Sequence, residues 1–87
     1  MGSPQLSFHP AAYRHDIERA DTVHAVDHAV AVRHLDPEPP DRSDTRVLYI
    51  GPNRNGHLLE IVTIPTDTGE IVIHAMNLRP STQTAYL

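Results

Sequence analysis

The sequence predicts an α+β domain in which two N-terminal helices pack on a three-stranded antiparallel sheet, followed by a short C-terminal helix or tail. Three observations predict it. Residues 9–35 carry helix-like spacing, residues 46–77 hold three β-rich runs, and the joint between them, DPEPPDRSDT (residues 36–45), has three prolines and four acids that oppose regular structure. Eighty-seven residues fit one domain, 1–87, with residues 78–87 as its C-terminal segment.

The helical half begins with HPAAYRH, where Pro10 stands at an early helical position that has little use for its missing N–H. DIERADTVHAVDHAVAVRHL follows. Asp16 is suited to cap a helix starting near Ile17, and Glu18 and Asp21 favour its positive end. At 100° per residue, Thr22, Val23, Val26, Ala29 and Val30 share one side, while Asp21, His24, Asp27 and His28 lie toward the other. Ala31 and Leu35 stray onto the polar side, which leaves room for a second buried contact.

In RVLYIGPNRNGHLLEIVTI, two β-rich runs flank Asn55-Gly56, a strong short-range hairpin signal. A two-residue loop would place Arg54 opposite His57, Ile50 opposite Ile61, Tyr49 opposite Val62 and Leu48 opposite Thr63. One face would then carry Arg46, Leu48, Ile50, Leu59 and Ile61, and the other Val47, Tyr49, Leu58, Glu60, Val62 and Ile64. Both are largely apolar, so both call for cover. PTDTGE (65–70) turns the chain into IVIHAM, the third strand. By alternation His74 shares a face with Val72 and Met76, while Ile71, Ile73 and Ala75 take the other. RPSTQTAYL reads equally as a last helical turn or as a tail that orders on binding.

Composition narrows the function classes. A chain this short buries only about 60–65% of the surface that its unfolded form exposes, and with no Trp and one Phe its core is thin, so a permanent partner or a homodimer would help it. The lack of Cys excludes disulfides and thiolate zinc sites and fits a cytoplasmic protein. No run reaches 18 apolar residues, so no membrane span is expected. MGSPQLSFHP lacks the basic flank and apolar centre of a secretion signal, and part of it reads as a cloning scar. The net charge of −4 opposes non-specific nucleic-acid binding, although seven His soften this because each gains charge near pH 6.5 or below.

The ordered pieces resemble BrnT-type toxins and the wider RelE-like toxin superfamily. In that group a short helix ends in a basic residue and His, as in YRHDIERA with Arg14-His15. An Arg-led strand ending in Gly then turns into an apolar strand, as in RVLYIGPNRNGHLLEIVTI. A third strand leads to an Arg-bearing segment and a late Tyr, as in IVIHAMNLRPSTQTAYL with Arg79 and Tyr86. The resemblance covers about two-thirds of the chain in pieces and lacks the group's first strand. It implies a minimal RelE-like fold and a toxin of a type II toxin–antitoxin pair: a metal-independent endoribonuclease acting on mRNA, without cofactor, and held inactive by a protein antitoxin.

Metal-free RNA cleavage needs a base for the 2′-hydroxyl, an acid for the leaving oxygen, and cations for the phosphate. The residues expected to supply these are Arg14, His15, Arg46, His74 and Arg79, with Arg54 and His57 as RNA-binding residues at the hairpin tip. Their convergence is implied by the resemblance. Each also has a plainer role. Arg14 and His15 suit a solvated helix end, and Arg46 could pair with Asp41 or Asp44. His74 could be a buried imidazole with one satisfied nitrogen, Arg79 a solvent residue before Pro80, and Arg54 and His57 an exposed tip pair. His24 and His28 have i, i+4 spacing that could grip a metal, but no third ligand completes a set, so no metal is expected. The acidic charge and sparse Arg favour a second reading, a non-catalytic interaction module that dimerises or docks a partner through an apolar sheet face.

Overall fold

The computed structural model describes residues 4–35 and 45–87. The joint expected at residues 36–45 and the partners considered for Arg46, Asp41 and Asp44, lie almost wholly outside the described residues, with Thr45 alone included. The elements run β1 (Leu6–Phe8), a 3-10 turn (Pro10–Tyr13), α1 (Arg19–Asp27), β2 (Ala31–Leu35), β3 (Arg46–Pro52), β4 (Leu58–Thr66), β5 (Gly69–Asn77) and α2 (Pro80–Tyr86). The strands form one mixed sheet in the order β1-β5-β4-β3-β2, with β1 parallel to β5 and the other neighbours antiparallel.

This corrects the expected three-stranded antiparallel sheet beneath two helices: the half read as helical supplies edge strand β2, and Leu6–Phe8 just before it supplies the other edge. The physical reason is the backbone. The outer N–H and C=O groups of β3 and β5 need partners when buried. Residues 31–35 pair with β3 from Ala31↔Ile50 to Leu35↔Arg46, and Leu6–Phe8 lies along Glu70–Val72. Ala31 and Val32 are thus drawn into a ladder, and helix propensity yields to tertiary pairing. β1 lies within MGSPQLSFHP, part of which reads as a scar, and is an integral strand of the sheet.

The second helix is correspondingly short. Asp16 does not cap it. Asp16 occupies a left-handed turn, φ 61°, and the helix starts at Arg19 after Glu18. At its other end, the His24 carbonyl accepts both the His28 backbone N–H and His28 Nδ1, each at 3.0 Å. Val30 N–H then donates to Ile50 O at 2.7 Å and starts β2.

The hairpin exists where Asn55-Gly56 places it, but its loop is Arg54-Asn55-Gly56. Gly56 has φ 89°, Gly56 N–H donates to Asn53 O at 3.0 Å, and Asn53 N–H donates to His57 O at 2.7 Å. This is a three-residue loop closed by a left-handed glycine. The pairing is therefore Ile50↔Glu60, Tyr49↔Ile61, Leu48↔Val62 and Val47↔Thr63, one residue from the expected register. Such a slip reverses the faces of one strand relative to the other. Glu60 and Val62 join Leu48 and Ile50, while Leu59 and Ile61 join Val47 and Tyr49. In β5 the register steps from Val62↔His74 to Thr63↔Val72, leaving Ile73 as a bulge. Val72 and His74 consequently face opposite sides, against the expectation that they share one.

Each face has its own core. Under α1 and the 3-10 turn lie Val47, Tyr49, Leu59, Ile61, Val72 and Ala75, met by Ala12, Ala25 and Val26. Tyr49 donates to Glu70 Oε1 at 2.8 Å, and Thr63 donates to the same oxygen at 2.6 Å. Burial pushes the Tyr49 hydroxyl well above its ordinary value, and the Glu70 contact adds to this. The other core holds Ala31, Leu48 and Ile50, covered by Leu78 and Tyr86 around α2. Pro80 opens α2 at a position where its absent N–H is harmless.

Gly51 marks where α1 touches the sheet. A Cβ there would lie 2.0 Å from Ala25 O and 3.0 Å from Ala29 Cα, both backbone atoms of the helix and its exit. Gly51→Ala must push α1 away, and overpacking of this kind costs about 1–3 kcal/mol or more. Urea denaturation should show that loss, and an unchanged midpoint would refute the close approach.

Candidate functional site

Glu60 is the centre of the site. It is the third residue of β4, with its side chain only 1% exposed. An ionised carboxylate there is costly unless it is fully hydrogen-bonded. Its partners come from β5, from the chain leaving it, and from α2. Arg79 N–H donates to Oε1 at 3.0 Å, while Arg79 Nε and Nη2 donate to Oε2 at 3.1 and 2.6 Å. His74 Nε2 meets Oε2 at 2.9 Å, and Thr82 adds its hydroxyl. Burial pushes the Glu60 carboxyl up, but the Arg79 side chain, its backbone N–H, Thr82 and His74 together outweigh it and bring the carboxyl from 4.5 down to about 2. An ionised Glu60 only accepts, so His74 Nε2 carries a proton and Nδ1 is the nitrogen left to exchange one.

The N-terminal segment brings a second imidazole to this point. β1 pairs with β5, His9 N–H donates to Val72 O at 2.9 Å, and the 3-10 turn then rises beside β5. Arg14 N–H donates to Ala11 O, Asp16 N–H donates to Tyr13 O, and the left-handed Asp16 closes the bend. This sets the His15 ring edge-on to His74, with centroids 5.8 Å apart and planes at 73°. Among the described residues neither His15 nor the Arg14 side chain has a hydrogen-bond partner, and both residues are exposed.

Of the residues expected to act together, the structure unites His15, His74 and Arg79 around Glu60, with Arg14 adjacent in the chain. Arg46 is not among them. It pairs with Leu35 at the start of β3, two positions along from Leu48, with β4 between it and β5. Arg54 is committed elsewhere: Nε donates to Asp21 Oδ1 at 2.9 Å and Nη2 to Glu18 Oε1 at 2.6 Å, locking the hairpin tip to the start of α1. The Arg54 hydrogen bond holds the Asp21 carboxyl below its ordinary value. A guanidinium shared by two carboxylates is a weakened phosphate ligand. His57 is exposed, its backbone N–H held by Asn53 Oδ1 at 2.9 Å.

His24 and His28 stack at 4.1 Å, and His24 Nδ1 donates to Pro52 O at 2.9 Å. Among the described residues no group of three His, Asp or Glu side chains could hold a metal, and no enclosed pocket is present. Sequence reasoning missed Glu60 and Thr82 as members of the site. The available signal was the acid itself: Glu60 is the one charge within LLEIVTI, and a charge inside an apolar strand demands partners.

Protein-family models, curated proteins and solved structures contain no match to this chain. Among the described residues no helix is long and apolar enough to cross a membrane.

Proposed function

We propose that this chain is the toxin of a bacterial type II toxin–antitoxin pair, of the RelE-like, BrnT type: a metal-independent endoribonuclease that cleaves mRNA in the cytoplasm and is neutralised by a protein antitoxin. The observation that carries this reading is the His15–His74 pair with Glu60 behind it. His15, unencumbered, takes the proton of a ribose 2′-hydroxyl. The 2′-oxygen then bonds to phosphorus, the bond to the 5′-oxygen breaks, and His74 Nδ1 gives that oxygen its proton. Glu60 orients His74 and stabilises its imidazolium, the role of the carboxylate in a catalytic triad. Arg14 is the cation free to meet the phosphate, while Arg79 positions Glu60.

The products of this chemistry carry 2′,3′-cyclic phosphate and 5′-hydroxyl ends. Purified protein incubated with RNA in excess chelator should generate them, and its expression should arrest growth. Intact RNA together with normal growth would dispose of the proposal.

A second reading has its own support. Arg79 is bound to Glu60 through Nε and Nη2, no pocket is present among the described residues, and Val32 of edge strand β2 and Val30 just before it are 44% and 62% accessible. These features suit a non-catalytic module that forms a homodimer or docks a partner. Growth after expression of wild type and of a His15→Ala, Arg79→Ala double variant separates the two. Equal harmlessness favours the module, and harm from wild type alone favours the nuclease.

A further inference from the structure

Tyr13 is an exposed aromatic residue whose position the fold takes trouble to hold. It is 42% accessible, and among the described residues the other large exposed apolar side chains are aliphatic. Its ring stacks on Phe8, with centroids 6.0 Å apart and planes at 27°. Arg19 lies over the Phe8 ring, its guanidinium carbon 4.9 Å from the centroid, and Arg19 Nε donates to the Tyr13 hydroxyl at 2.8 Å. Phe8 packs on the core under α1, so the assembly is anchored from below. The hydrophobic anchoring of the 3-10 turn falls to Ala12, 2% exposed, and does not require an aromatic ring at position 13.

Arg14 alone separates Tyr13 from His15, a span of at most about 7 Å. The same stretch, residues 9–19, holds Arg14, Arg19, His9 and His15 together with Asp16 and Glu18, and Glu18 is paired with Arg54. A rigid, partly exposed ring flanked by guanidiniums is the composition of a base-stacking platform. We infer that Tyr13, braced by Phe8 and Arg19, stacks a nucleobase of single-stranded RNA beside the phosphodiester at His15. This rests on the ribonuclease reading for its ligand, and it narrows the substrate class. Any base offers a π-face, so sequence preference is weak, whereas bases in a duplex are already stacked on one another and do not reach the platform.

The test is binding of a short 2′-O-methyl oligonucleotide, which lacks the attacking hydroxyl and survives, compared with a duplex of the same sequence. Wild type should prefer the single strand. Tyr13→Ala should bind it roughly 5- to 150-fold more weakly, and Tyr13→Phe should stay near wild type. Tyr13→Leu keeps an apolar side chain on Phe8 without a π-face, so it should fold normally and still lose binding. Equal affinity for Tyr13→Leu and wild type, no binding at all, or equal affinity for strand and duplex would each overturn the platform. The two claims fail separately. Tyr13-dependent binding without cleavage refutes only the nuclease, and cleavage with Tyr13-independent binding refutes only the platform.

Discussion

Alanine at His15 or at His74 should each lower RNA cleavage by about 10²–10⁴-fold, the usual worth of a positioned proton donor or acceptor. The two rings sit edge to face, and in the proposed displacement each would have one role. Residues that act as a unit do not add. The His15→Ala, His74→Ala double variant should therefore be little worse than either single one, and the wild-type rate should trace a bell against pH, limited by a base on one side and an acid on the other. Arg46→Ala supplies the contrast. Arg46 was expected among the catalytic residues, but β4 separates it from β5, so its loss should leave the rate within a few-fold of wild type. Single-turnover cleavage of one labelled oligonucleotide by all four variants decides the matter. If Arg46→Ala proves as damaging as His74→Ala, the cluster around Glu60 is not the reacting centre.

The sheet's central hairpin was legible in the sequence because β-branched runs on either side of Asn55-Gly56 leave a chain few other options. Its register was not. Two-residue and three-residue loops both place glycine at this point, and only the left-handed Gly56 with Asn53 opposite His57 distinguishes them. That one-residue difference decides which β3 residues Glu60 lies beside, while its place next to His74 is set by the β4–β5 pairing, Glu60↔Met76 and Val62↔His74. The Ile73 bulge was hidden for a related reason: it carries no glycine or proline to announce it. β2 was misread because AVAVRHL has the alanine of a helix and the valine of a strand, and what selects between them is the distant edge of β3. The three residues of β1 hold no local signal; β5 makes them a strand. His15 and His74 were recognised as candidates by residue type, while the carboxylate that ties His74 to Arg79 emerges only from strand pairing.

Glu60→Gln should destabilise the protein by about 2–3 kcal/mol near neutral pH, and the loss should vanish in acid. Glutamine keeps the volume, so no cavity forms. It does replace one of two accepting oxygens with an amide nitrogen in a position that faces Arg79 N–H groups and His74 Nε2, donors that then meet a donor. The pH dependence follows from the carboxyl, which titrates at about 2 in the folded chain against 4.5 in the reference state. The unfolded chain takes up its proton first as pH falls. The stabilisation from Glu60 is thus fully present above about pH 4.5 and drains away toward pH 2, with a ceiling of about 3 kcal/mol at 1.36 kcal/mol per unit. Urea denaturation of wild type and Glu60→Gln at pH 7 and at pH 3 measures the gap directly: it should narrow at the lower pH. A gap of the same size at both would mean that Glu60 contributes through its second accepting oxygen and not through its charge. The same variant also bears on function. If Glu60 acts only by holding His74, Glu60→Gln should slow cleavage while binding of the 2′-O-methyl strand at Tyr13 is unchanged. A structural role alone would instead weaken both in proportion to the fraction unfolded.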